Sequence, residues 1–456
     1  MMYASGGKGK RMKVAFHTLG CKVNQYETES MKEQFKSAGF TVVGEEDEAD
    51  VYIINTCTVT NLADRKSRQY IRRMKKKCPD AVVAVTGCYA QIKPDEVASL
   101  SEVDIVAGTG EKNNLLGYVR EFMEERKSQR HIKTYDELTD YDDRGIITSM
   151  ESRTRAYIKI QEGCDRFCSY CLIPFARGHV RSRDPEEITA EAAVLIGRGF
   201  KEIILTGINT ALYGTEDGFA YPLKPSEEAE AIGGIEIIIK RINELEGDFR
   251  IRLSSLEPTV INADYVKRLM KYERLCPHLH LSVQSGSDHV LELMNRRYDR
   301  EEYLKIVKVL REFDPLYGIT TDIICGFPGE TEEDFEDSLD MIERVKFCKV
   351  HAFKYSKRQG TAAARMNNQV PAEVKNIRSQ RLIRAGEQAA AEFMESCRGV
   401  VRPVLFEELC PDDGLVTGYS DNYIKVYSEG GTENLNRIKK VKLLEKYKDG
   451  MKGEIV

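Results

Sequence analysis

Short apolar, β-branched runs alternate with helix-like segments along most of this 456-residue chain. In the first part, runs at residues 12–20, 49–56 and 80–87 are separated by helical patterns near 24–38 and 61–77. Such alternation predicts a parallel sheet covered by helices. A cysteine follows each run at once: Cys21, Cys57 and Cys88. Because the carboxyl ends of parallel strands share one edge, we expect these thiols to converge in a metal or cluster site, the alternative being three unrelated buried cysteines.

A second alternation follows residues 120–155, a charged segment with little apolar periodicity that we predict to be a linker. Six strand-like runs lie at residues 156–163, 201–209, 249–258, 278–286, 318–330 and 349–356, with helical patterns between most of them. Six successive β/α units predict a barrel or partial barrel whose chemistry sits at the carboxyl ends of the strands. Cys164, Asn209, Glu257, Gln284 and Gly326 are expected at those ends.

The last part of the chain changes character. A long polar helix is predicted near residues 371–397, and from about residue 399 short strands and turns lead to a lysine-rich end. This pattern favours a small all-β module of the kind that grips RNA. The predicted fold class is therefore α/β, with an N-terminal parallel-sheet domain, a central partial (β/α)6 barrel and a small C-terminal all-β module.

Composition narrows the class of protein. A hydrophobic content of 41% with 31% charged residues is typical of globular chains, and a net charge of −5 argues against wholesale coating of nucleic acid but not against local basic patches. No apolar run approaches the roughly 18 residues that span a bilayer, and the basic start is not followed by an apolar stretch. Twelve cysteines are too sparse for a disulfide scaffold, so we expect a cytoplasmic protein with metal or redox chemistry and no membrane partner.

Three of those cysteines lie within eight residues, in the stretch QEGCDRFCSYCLIPFARG. Cys164, Cys168 and Cys171 have the spacing C-x3-C-x2-C and follow the first predicted barrel strand. Structural zinc sites come as two closely spaced pairs, and no fourth ligand lies at the usual spacing here. Iron–sulfur clusters are normally held by four thiolates, so three would leave one iron open to a substrate or cofactor. The spacing favours an iron–sulfur cluster over zinc.

This motif, with Tyr170 at its aromatic position, resembles that of the radical S-adenosylmethionine (SAM) superfamily. The stretches TLGCKVNQYETE, NTCTVTNLADRKSRQ, TGCYAQ, GINTALYG, RLSSLEP, HLHLSVQSGSD and TDIICGFPGETEEDF are further similar to the radical-SAM methylthiotransferases, over nearly the whole chain. The resemblance implies an N-terminal methylthiotransferase domain at residues 12–120, a radical-SAM domain at 150–385 and a TRAM-like RNA-binding domain at 399–456.

The same resemblance implies the cofactors and their ligands. It implies two 4Fe-4S clusters, one on Cys164, Cys168 and Cys171 and an auxiliary one on Cys21, Cys57 and Cys88, together with SAM. From the residues alone, TGIN and CGFPGE could equally be tight turns between strand and helix. No catalytic side chain is assigned. The implied SAM contacts are Tyr170, Gly207, Asn209, Glu257, Gln284, Ile323 and Gly326.

Within the family, CKVNQYET and NTCTVT are most similar to the type that acts on N6-threonylcarbamoyladenosine, the MtaB type. The resemblance implies methylthiolation of carbon-2 of that base, next to the anticodon of tRNA. Carbon-2 carries an unactivated C–H bond, which a carbon radical derived from SAM can break. Three alternatives stay open: a methylthiotransferase acting on isopentenyladenosine in tRNA, one acting on an aspartate of a ribosomal protein, and an iron–sulfur RNA-binding protein without catalysis.

Recognition of a tRNA anticodon stem-loop requires cations, and we predict three sources of them. The alternative for each basic run is a solvated face, and the arginine after the radical-SAM motif could instead pair with a protein carboxylate. Binding through phosphates would depend on salt, and access to the base would need an unstacked nucleotide. A reducing electron donor is a further implied partner. The predicted RNA contacts are Arg72, Arg73, Lys75 and Lys76 on a helix, Lys439 and Lys440 in the tail, and Arg177.

Overall fold

The computed structural model describes residues 11–141, 146–148, 150, 154–219, 234–258 and 262–456. The chain divides into two compact units. The first comprises Met1–Ile147 together with Leu172–His179, and the second comprises Thr148–Cys171 together with Val180–Val456. Among the helices of these described ranges, none combines the length and the apolar character that crossing a membrane requires.

The first unit is built on a six-stranded parallel sheet with the strand order β2-β1-β3-β4-β5-β6. Its elements are β1 (Lys13–Thr18), α1 (Lys22–Ser37), β2 (Thr41–Val43), β3 (Val51–Thr56), α2 (Asn61–Lys77), β4 (Val82–Gly87), α3 (Cys88–Ile92), α4 (Pro94–Ala98), β5 (Ile105–Ala107), α5 (Leu115–Glu125), β6 (Gln129–His131) and α6 (Ile173–Arg177).

Every residue of β3 and β4 is buried, because helices cover both faces of the sheet. Alternate residues enter two separate cores, with Tyr52 and Ile54 on one side and Val51 and Ile53 on the other. The three predicted strands and the two predicted helices of this part are confirmed.

Part of the segment that we predicted to be a linker is helix and strand. Helix α5 buries Leu115, Val119 and Phe122, a stripe with helical spacing that begins before the charged residues. The prediction was wrong there because the charges lie on the opposite face of α5 and in β6. Residues 142–145, 149 and 151–153 of the same segment lie outside the described residues.

The second unit contains the predicted partial barrel. Its elements before the C-terminal module are β7 (Arg155–Glu162), β8 (Arg181–Ser182), α7 (Pro185–Gly197), β9 (Glu202–Gly207), α8 (Ile235–Asn243), β10 (Arg250–Leu253), β11 (Ser255–Leu256), α9 (Ala263–Leu269), β12 (His278–Leu281), α10 (Asp288–Leu293), α11 (Arg300–Phe313), β13 (Gly318–Cys325), α12 (Glu332–Val345), β14 (Lys349–Lys354) and α13 (Ala372–Ser396).

Two four-stranded sheets, β10-β9-β7-β8 and β11-β12-β13-β14, follow one another in this unit. Only Ser254 separates β10 from β11, and a parallel bridge between Ile251 and Leu275 also joins the two sheets. The six predicted strands β7, β9, β10, β12, β13 and β14 therefore form one parallel row, with β8 antiparallel at its edge. This arrangement confirms the partial (β/α)6 barrel.

The C-terminal module is a closed five-stranded barrel in the order β15-β16-β17-β19-β18. Val404, Phe406, Val426 and Val441 fill it, and Phe393 of α13 packs against the same core. The prediction of an all-β module is confirmed. Its strands are β15 (Val401–Leu409), β16 (Val416–Ser420), β17 (Lys425–Ser428), β18 (Arg437–Tyr447) and β19 (Gly450–Ile455).

Two arginines attach the closed barrel to the amino ends of the larger barrel's strands. Arg250 and Arg252 both pair with the fully buried carboxylate of Glu202. Arg250 also donates to the carbonyl oxygen of Tyr419, and Arg252 donates to that of Asp421. The carboxyl ends of the strands, where the predicted site lies, are left free of this attachment.

Candidate cofactor sites

The first thiol site lies at the carboxyl edge of the first unit's sheet. Strands β1, β3 and β4 are direct neighbours, and Cys21, Cys57 and Cys88 follow their ends. Cys21 precedes α1, and Cys88 is the first residue of α3. The structure thus brings the three predicted ligands to one edge, as the strand order requires.

Two glycines allow the chain to approach closely at this edge. Gly20 has φ +111°, and a Cβ there would lie 2.8 Å from the Cβ of Cys57. Gly87 has φ +94°, and a Cβ there would lie 2.4 Å from the carbonyl oxygen of Thr56. Any side chain at either position would force neighbouring strand ends apart.

Arg177 is packed against this thiol site and is fully buried. Its Nε donates to Sγ of Cys88 at 3.3 Å, a second guanidinium nitrogen donates to Oδ1 of Asn24 at 2.5 Å, and the group is ion-paired with Glu27. Lys112 also pairs with Glu27. Arg177, which we predicted as an RNA contact, is enclosed by partners of its own unit in this structure.

Burial favours the protonated form of the Cys57 thiol. It raises the pKa of Cys57 to about 12, and the neighbouring Cys88 raises it further while Arg177 lowers it. A buried thiol in this setting keeps its proton unless a bound metal replaces that proton. Binding of a metal by Cys57 would therefore release a proton.

The second thiol site is the loop that follows β7 in the second unit. The loop is fixed by the end of α10, since Ser169 donates its N–H to the carbonyl oxygen of Met294 at 3.0 Å and its hydroxyl to that of Leu293 at 2.7 Å. The N–H of Cys171 donates to the carbonyl oxygen of Cys168 at 2.9 Å. These bonds hold the part of the loop from Cys168 to Cys171 in a turn. Burial raises the pKa of Cys164 to about 12.

The carboxylate of Glu257 joins the loop to two other strand ends. It accepts from Nδ2 of Asn209 at 2.7 Å, from Nε of Arg166 at 3.1 Å and from a terminal nitrogen of Arg296 at 2.9 Å. The other terminal nitrogen of Arg296 donates to the hydroxyl of Tyr170 at 3.0 Å. Tyr170, Asn209 and Glu257, which the family resemblance implied as SAM contacts, thus belong to one network.

The remaining predicted SAM contacts lie at the same strand ends. Gly207 is the last residue of β9. Gln284 has φ +65°, donates to the carbonyl oxygen of Asp322 and accepts from the N–H of Ile324, so it extends the pairing beyond β12. The N–H of Gly326 donates to Glu330 at 2.8 Å.

Ile323 does not present its side chain to this site. It is fully buried in the core between the strands and the helices, whereas Ile324 faces the other way and packs in a cluster with Tyr170 and Phe327. Side chains alternate along a strand, so the predicted contact of Ile323 with SAM would use its backbone atoms.

Two family models match the chain. The model described as "Uncharacterized protein family UPF0004" matches residues 13–108, and the "Radical SAM superfamily" model matches residues 158–342. A threonylcarbamoyladenosine tRNA methylthiotransferase MtaB of Bacillus subtilis is 42% identical over 435 residues, which cover 95% of this chain and 94% of the relative. The chain belongs to the radical-SAM methylthiotransferases.

Two further relatives represent two types of tRNA methylthiotransferase within this family. The MtaB protein of Aquifex aeolicus is 38% identical and covers 92% of this chain and 98% of its own length. A tRNA-2-methylthio-N(6)-dimethylallyladenosine synthase of Clostridium novyi is 34% identical, covering 96% of this chain and 95% of its own length. This methylthiotransferase is thus more similar in sequence to the two MtaB proteins than to the dimethylallyladenosine synthase.

The solved structures bear on the fold. The radical SAM methyltransferase TsrM of Kitasatospora setae superposes with a TM-score of 0.55 at 13% sequence identity, covering 86% of this chain and 78% of that one. This similarity agrees with the α/β architecture of the two units.

The thiols of this radical-SAM methylthiotransferase fit clusters better than single ions. A tetrahedral zinc ion with bonds of about 2.3 Å draws its sulfurs to within about 4 Å of one another. Within the described part of the chain, which includes all six cysteines, neither triad brings its sulfurs within 4.8 Å. A four-iron cluster bridges a wider gap between three thiolates. The donor sets therefore fit two 4Fe-4S clusters.

The predicted basic contacts differ in how far protein carboxylates neutralise them. On α2, Arg73 pairs with Glu46, Lys75 is 3.0 Å from Asp104, and Arg72 is 3.8 Å from Glu102. The predicted RNA contacts Arg73 and Lys75 thus have protein carboxylates as partners in this structure.

On β18, by contrast, Lys440 and Lys442 are exposed, and Lys439 is half-buried. Within the described ranges, no carboxylate lies within ion-pair distance of these three lysines. On α2, Lys76 is the predicted contact that is likewise exposed and unpaired within those ranges.

Proposed function

We propose that this chain methylthiolates carbon-2 of N6-threonylcarbamoyladenosine next to the anticodon of tRNA, in the cytoplasm. The observation that carries the proposal is full-length similarity of 42% to an MtaB protein, against 34% to a dimethylallyladenosine synthase. The two thiol sites at strand ends support it, because the reaction needs both a radical source and a sulfur-handling centre.

We further propose which residues hold the cofactors. Cys164, Cys168 and Cys171 hold one 4Fe-4S cluster, and Cys21, Cys57 and Cys88 hold the other. When bound, the clusters and SAM supply the carbon radical and the methylated sulfur. The three-domain division at residues 12–120, 150–385 and 399–456 belongs to the same proposal.

The role of the protein side chains is to bind SAM and to orient it. Glu257 is fixed by hydrogen bonds from Arg166, Arg296 and Asn209, so it presents a defined acceptor at the mouth of the barrel. Such an acceptor suits the hydroxyl groups of a ribose. Tyr170, which Arg296 holds, and Ile324 give this mouth an apolar wall against which an adenine ring can pack.

For the tRNA, we propose that the exposed lysines of β18 contact phosphates of the anticodon stem-loop. They lie on a closed barrel that contains none of the six thiols, which suits a gripping role. A reducing electron donor is a further partner that the radical chemistry requires.

The function is tested by offering two modified anticodon stem-loops in one anaerobic reaction, one with the threonylcarbamoyl group and one with the isopentenyl group. We expect sulfur insertion into the threonylcarbamoyl substrate to be faster. A site built for a polar substituent rejects an analogue that lacks it by about 10⁴-fold in favourable cases. Nucleoside mass spectrometry identifies the product.

Two results would overturn the proposal. Faster modification of the isopentenyl substrate would assign the chain to the other tRNA activity. Modification of a ribosomal-protein aspartate, with both stem-loops untouched, would exclude tRNA. Reductive SAM cleavage in the same reaction excludes a binding protein without catalysis.

A further inference from the structure

The interior of the larger barrel carries a cluster of polar side chains below the proposed SAM site. His280 on β12, Asp322 on β13 and His351 on β14 each offer a ligand atom, and these atoms all lie within 4.8 Å of one another. Within the described residues, no other three His, Cys, Asp or Glu side chains bring their ligand atoms this close together.

Strand register explains why the three meet. Asp322 and His351 are direct partners in the β13–β14 pair, and His280 is opposite Thr320, two residues before Asp322 on the same face of β13. Ile324 is the next residue on this face, one pleat or about 6.6 Å further along. The cluster therefore lies one layer deeper in the barrel than the wall formed by Ile324 and Tyr170.

The contacts of His280 prepare one ring nitrogen as a ligand. Its Nδ1 is 2.9 Å from the hydroxyl of Thr320, and its Nε2 is 3.2 Å from Oδ2 of Asp322. In the tautomer that donates from Nδ1 to Thr320, Nε2 presents a lone pair toward the carboxylate. Histidines that ligate metals are held in this way, with the second ring nitrogen donating to a neighbouring group.

In that tautomer two acceptors, Nε2 of His280 and Oδ2 of Asp322, face each other. In the other tautomer Nε2 donates to Oδ2, and a bound metal ion displaces that proton. The hydroxyl of Ser282 is 3.0 Å from Nε2 of His280 and 3.1 Å from Oδ2 of Asp322, but it has one proton to donate. A cation between the imidazole and the carboxylate satisfies both. The side chains of His280 and Asp322 are 16% and 27% exposed, so an ion can reach them.

We propose that His280, Asp322 and His351 bind one divalent transition-metal ion inside the barrel. Two imidazoles and one carboxylate form a donor set that zinc and iron(II) sites use, with a further position open to water or substrate. The inference is independent of the proposed function, because its test measures a metal and not sulfur insertion.

The test is zinc binding by the full-length protein with both clusters reconstituted anaerobically. The protein is incubated with Zn²⁺, passed through a desalting column, and analysed for zinc and iron by mass spectrometry. We expect about one zinc ion per chain, with zinc–nitrogen and zinc–oxygen distances of about 2.0–2.2 Å by X-ray absorption. Asp322→Asn and His351→Gln should each lower the retained zinc at least tenfold, while the iron content is unchanged.

His289→Ala is the matched control. His289 is also paired with an aspartate, 3.0 Å from Asp334, but it is half exposed on α10 and has no second histidine. It should retain zinc like the wild type. The proposal is overturned if the wild type retains no more zinc than His351→Gln, or if the zinc shows sulfur neighbours at about 2.3 Å, which would place it on cysteines. Iron content and melting temperature show that the variants are folded.

Discussion

Arg177 and Arg296 serve the two thiol sites in parallel ways. Arg177 lies in the first unit and joins Cys88 to Asn24 and Glu27, whereas Arg296 lies in the second unit and joins Tyr170 to Glu257. Each buried cation faces a set of thiols that become anionic when they bind metal. A cluster with three thiolates carries negative charge, so a buried arginine beside it offsets the cost of burying that charge.

The two cysteine sets are expected to be separable by mutation. Cys168→Ala should abolish reductive SAM cleavage, because it removes a ligand of the cluster that binds SAM. Cys57→Ala should retain SAM cleavage to 5′-deoxyadenosine but lose the methylthiolated product. Each variant should lose about half of the iron, if one missing ligand empties one cluster only.

The measurements for this pair are iron per chain, 5′-deoxyadenosine and modified nucleoside in the same samples. Cys78→Ala is the control, since Cys78 follows the last residue of α2, has its Sγ 3.3 Å from the hydroxyl of Tyr52, and is not a predicted ligand. Methylthiolation by Cys57→Ala at the wild-type rate would exclude Cys57 as a ligand.

Arg296 is expected to govern SAM affinity rather than cluster assembly. Arg296→Met keeps the length of the side chain but frees one oxygen of Glu257 and the hydroxyl of Tyr170. Arg166 and Asn209 still hold the carboxylate, so the loop should fold. Loss of a hydrogen bond to a charged group corresponds to about 1.5–3 kcal/mol, or about 10- to 150-fold in the dissociation constant of SAM.

Equilibrium dialysis of SAM against the reconstituted protein measures this effect. Arg300→Met is the matched control. Arg300, on α11, is likewise an ion-paired arginine, and its partners Asp337 and Asp340 both lie on α12. Equal SAM affinity in Arg296→Met and wild type, at equal iron content, would contradict the assignment.

The sequence was sufficient to predict site residues that directly follow strands. It was not sufficient to predict residues whose role depends on a contact with a distant side chain. The rule for parallel sheets placed Cys21, Cys57, Cys88, Cys164, Asn209 and Glu257 at strand ends. The spacing of the motif added Cys168 and Cys171, and the family resemblance supplied the roles. Arg166 and Arg296 come from a loop and from the end of a helix, and only their distance to Glu257 reveals a role. The partner of Arg177, Glu27, could not be named from the sequence because it is 150 positions earlier in the chain.

At the scale of single elements, β18 and α2 illustrate how alike two basic runs can look in sequence. The β18 strand alternates outward lysines with the inward Val441 and Leu443 of the barrel core. Helix α2 presents comparable charges, but carboxylates of neighbouring loops lie beside them. A carboxylate that is paired with an arginine or lysine competes with an RNA phosphate for that side chain.

We therefore expect charge reversal on β18 to weaken tRNA binding more than reversal on α2. Lys440→Glu with Lys442→Glu should reduce the slope of log affinity against log salt by about 2, because each lost phosphate contact contributes about 0.9. Arg73→Glu should change the slope little, because Glu46 already holds that charge.

Filter binding of an anticodon stem-loop at several salt concentrations measures the slopes. Lys308→Glu serves as a control, since Lys308 is an exposed, paired lysine of α11. A larger effect from Arg73→Glu than from the β18 pair would assign the RNA contact to α2. These substitutions are preferable to deleting the module, since Phe393 of α13 packs into the module's core.

Element prediction succeeded where a pattern was long enough to repeat. The strands that we predicted have four residues or more and the predicted helices thirteen or more, whereas β2, β5 and β6, each of three residues, were not predicted. Three residues cannot display an alternation. These short strands complete the sheet because β1, β4 and β5 offer them unpaired edges, which is information that no local window contains.

At the scale of the whole molecule, stability of the second unit depends on charges buried far from the cofactors. Glu202 is fully buried between Arg250 and Arg252, and these arginines hold the C-terminal barrel through backbone oxygens. Burial opposes ionisation of Glu202, but Arg250 and Arg252 outweigh it and hold its pKa well below the ordinary value.

Glu202→Gln should lower the free energy of unfolding of this unit by about 3–5 kcal/mol, because it leaves two buried arginines without their counter-charge. A glutamate with a depressed pKa stabilises fully above its ordinary pKa of about 4.3, and the contribution is lost as pH falls below that value. The gap between wild type and variant should therefore be full at pH 7 and shrink in acid.

Urea unfolding followed by circular dichroism, on protein without clusters, measures this gap. Glu301→Gln, which removes an exposed glutamate paired with Lys305, should cost less than about 1 kcal/mol. Equal midpoints for the two variants would show that the buried pairs contribute no more than surface ones.

The path of the chain has a consequence for anyone who recombines these enzymes. Residues 172–179 are surrounded in sequence by the second unit but belong to the first, and they carry Arg177. A chimera spliced once near residue 147 would supply Asn24, Glu27 and Cys88 from one parent and Arg177 from the other. Exchange of substrate preference between family members therefore calls for three junctions, so that the short helix travels with the sheet that it serves.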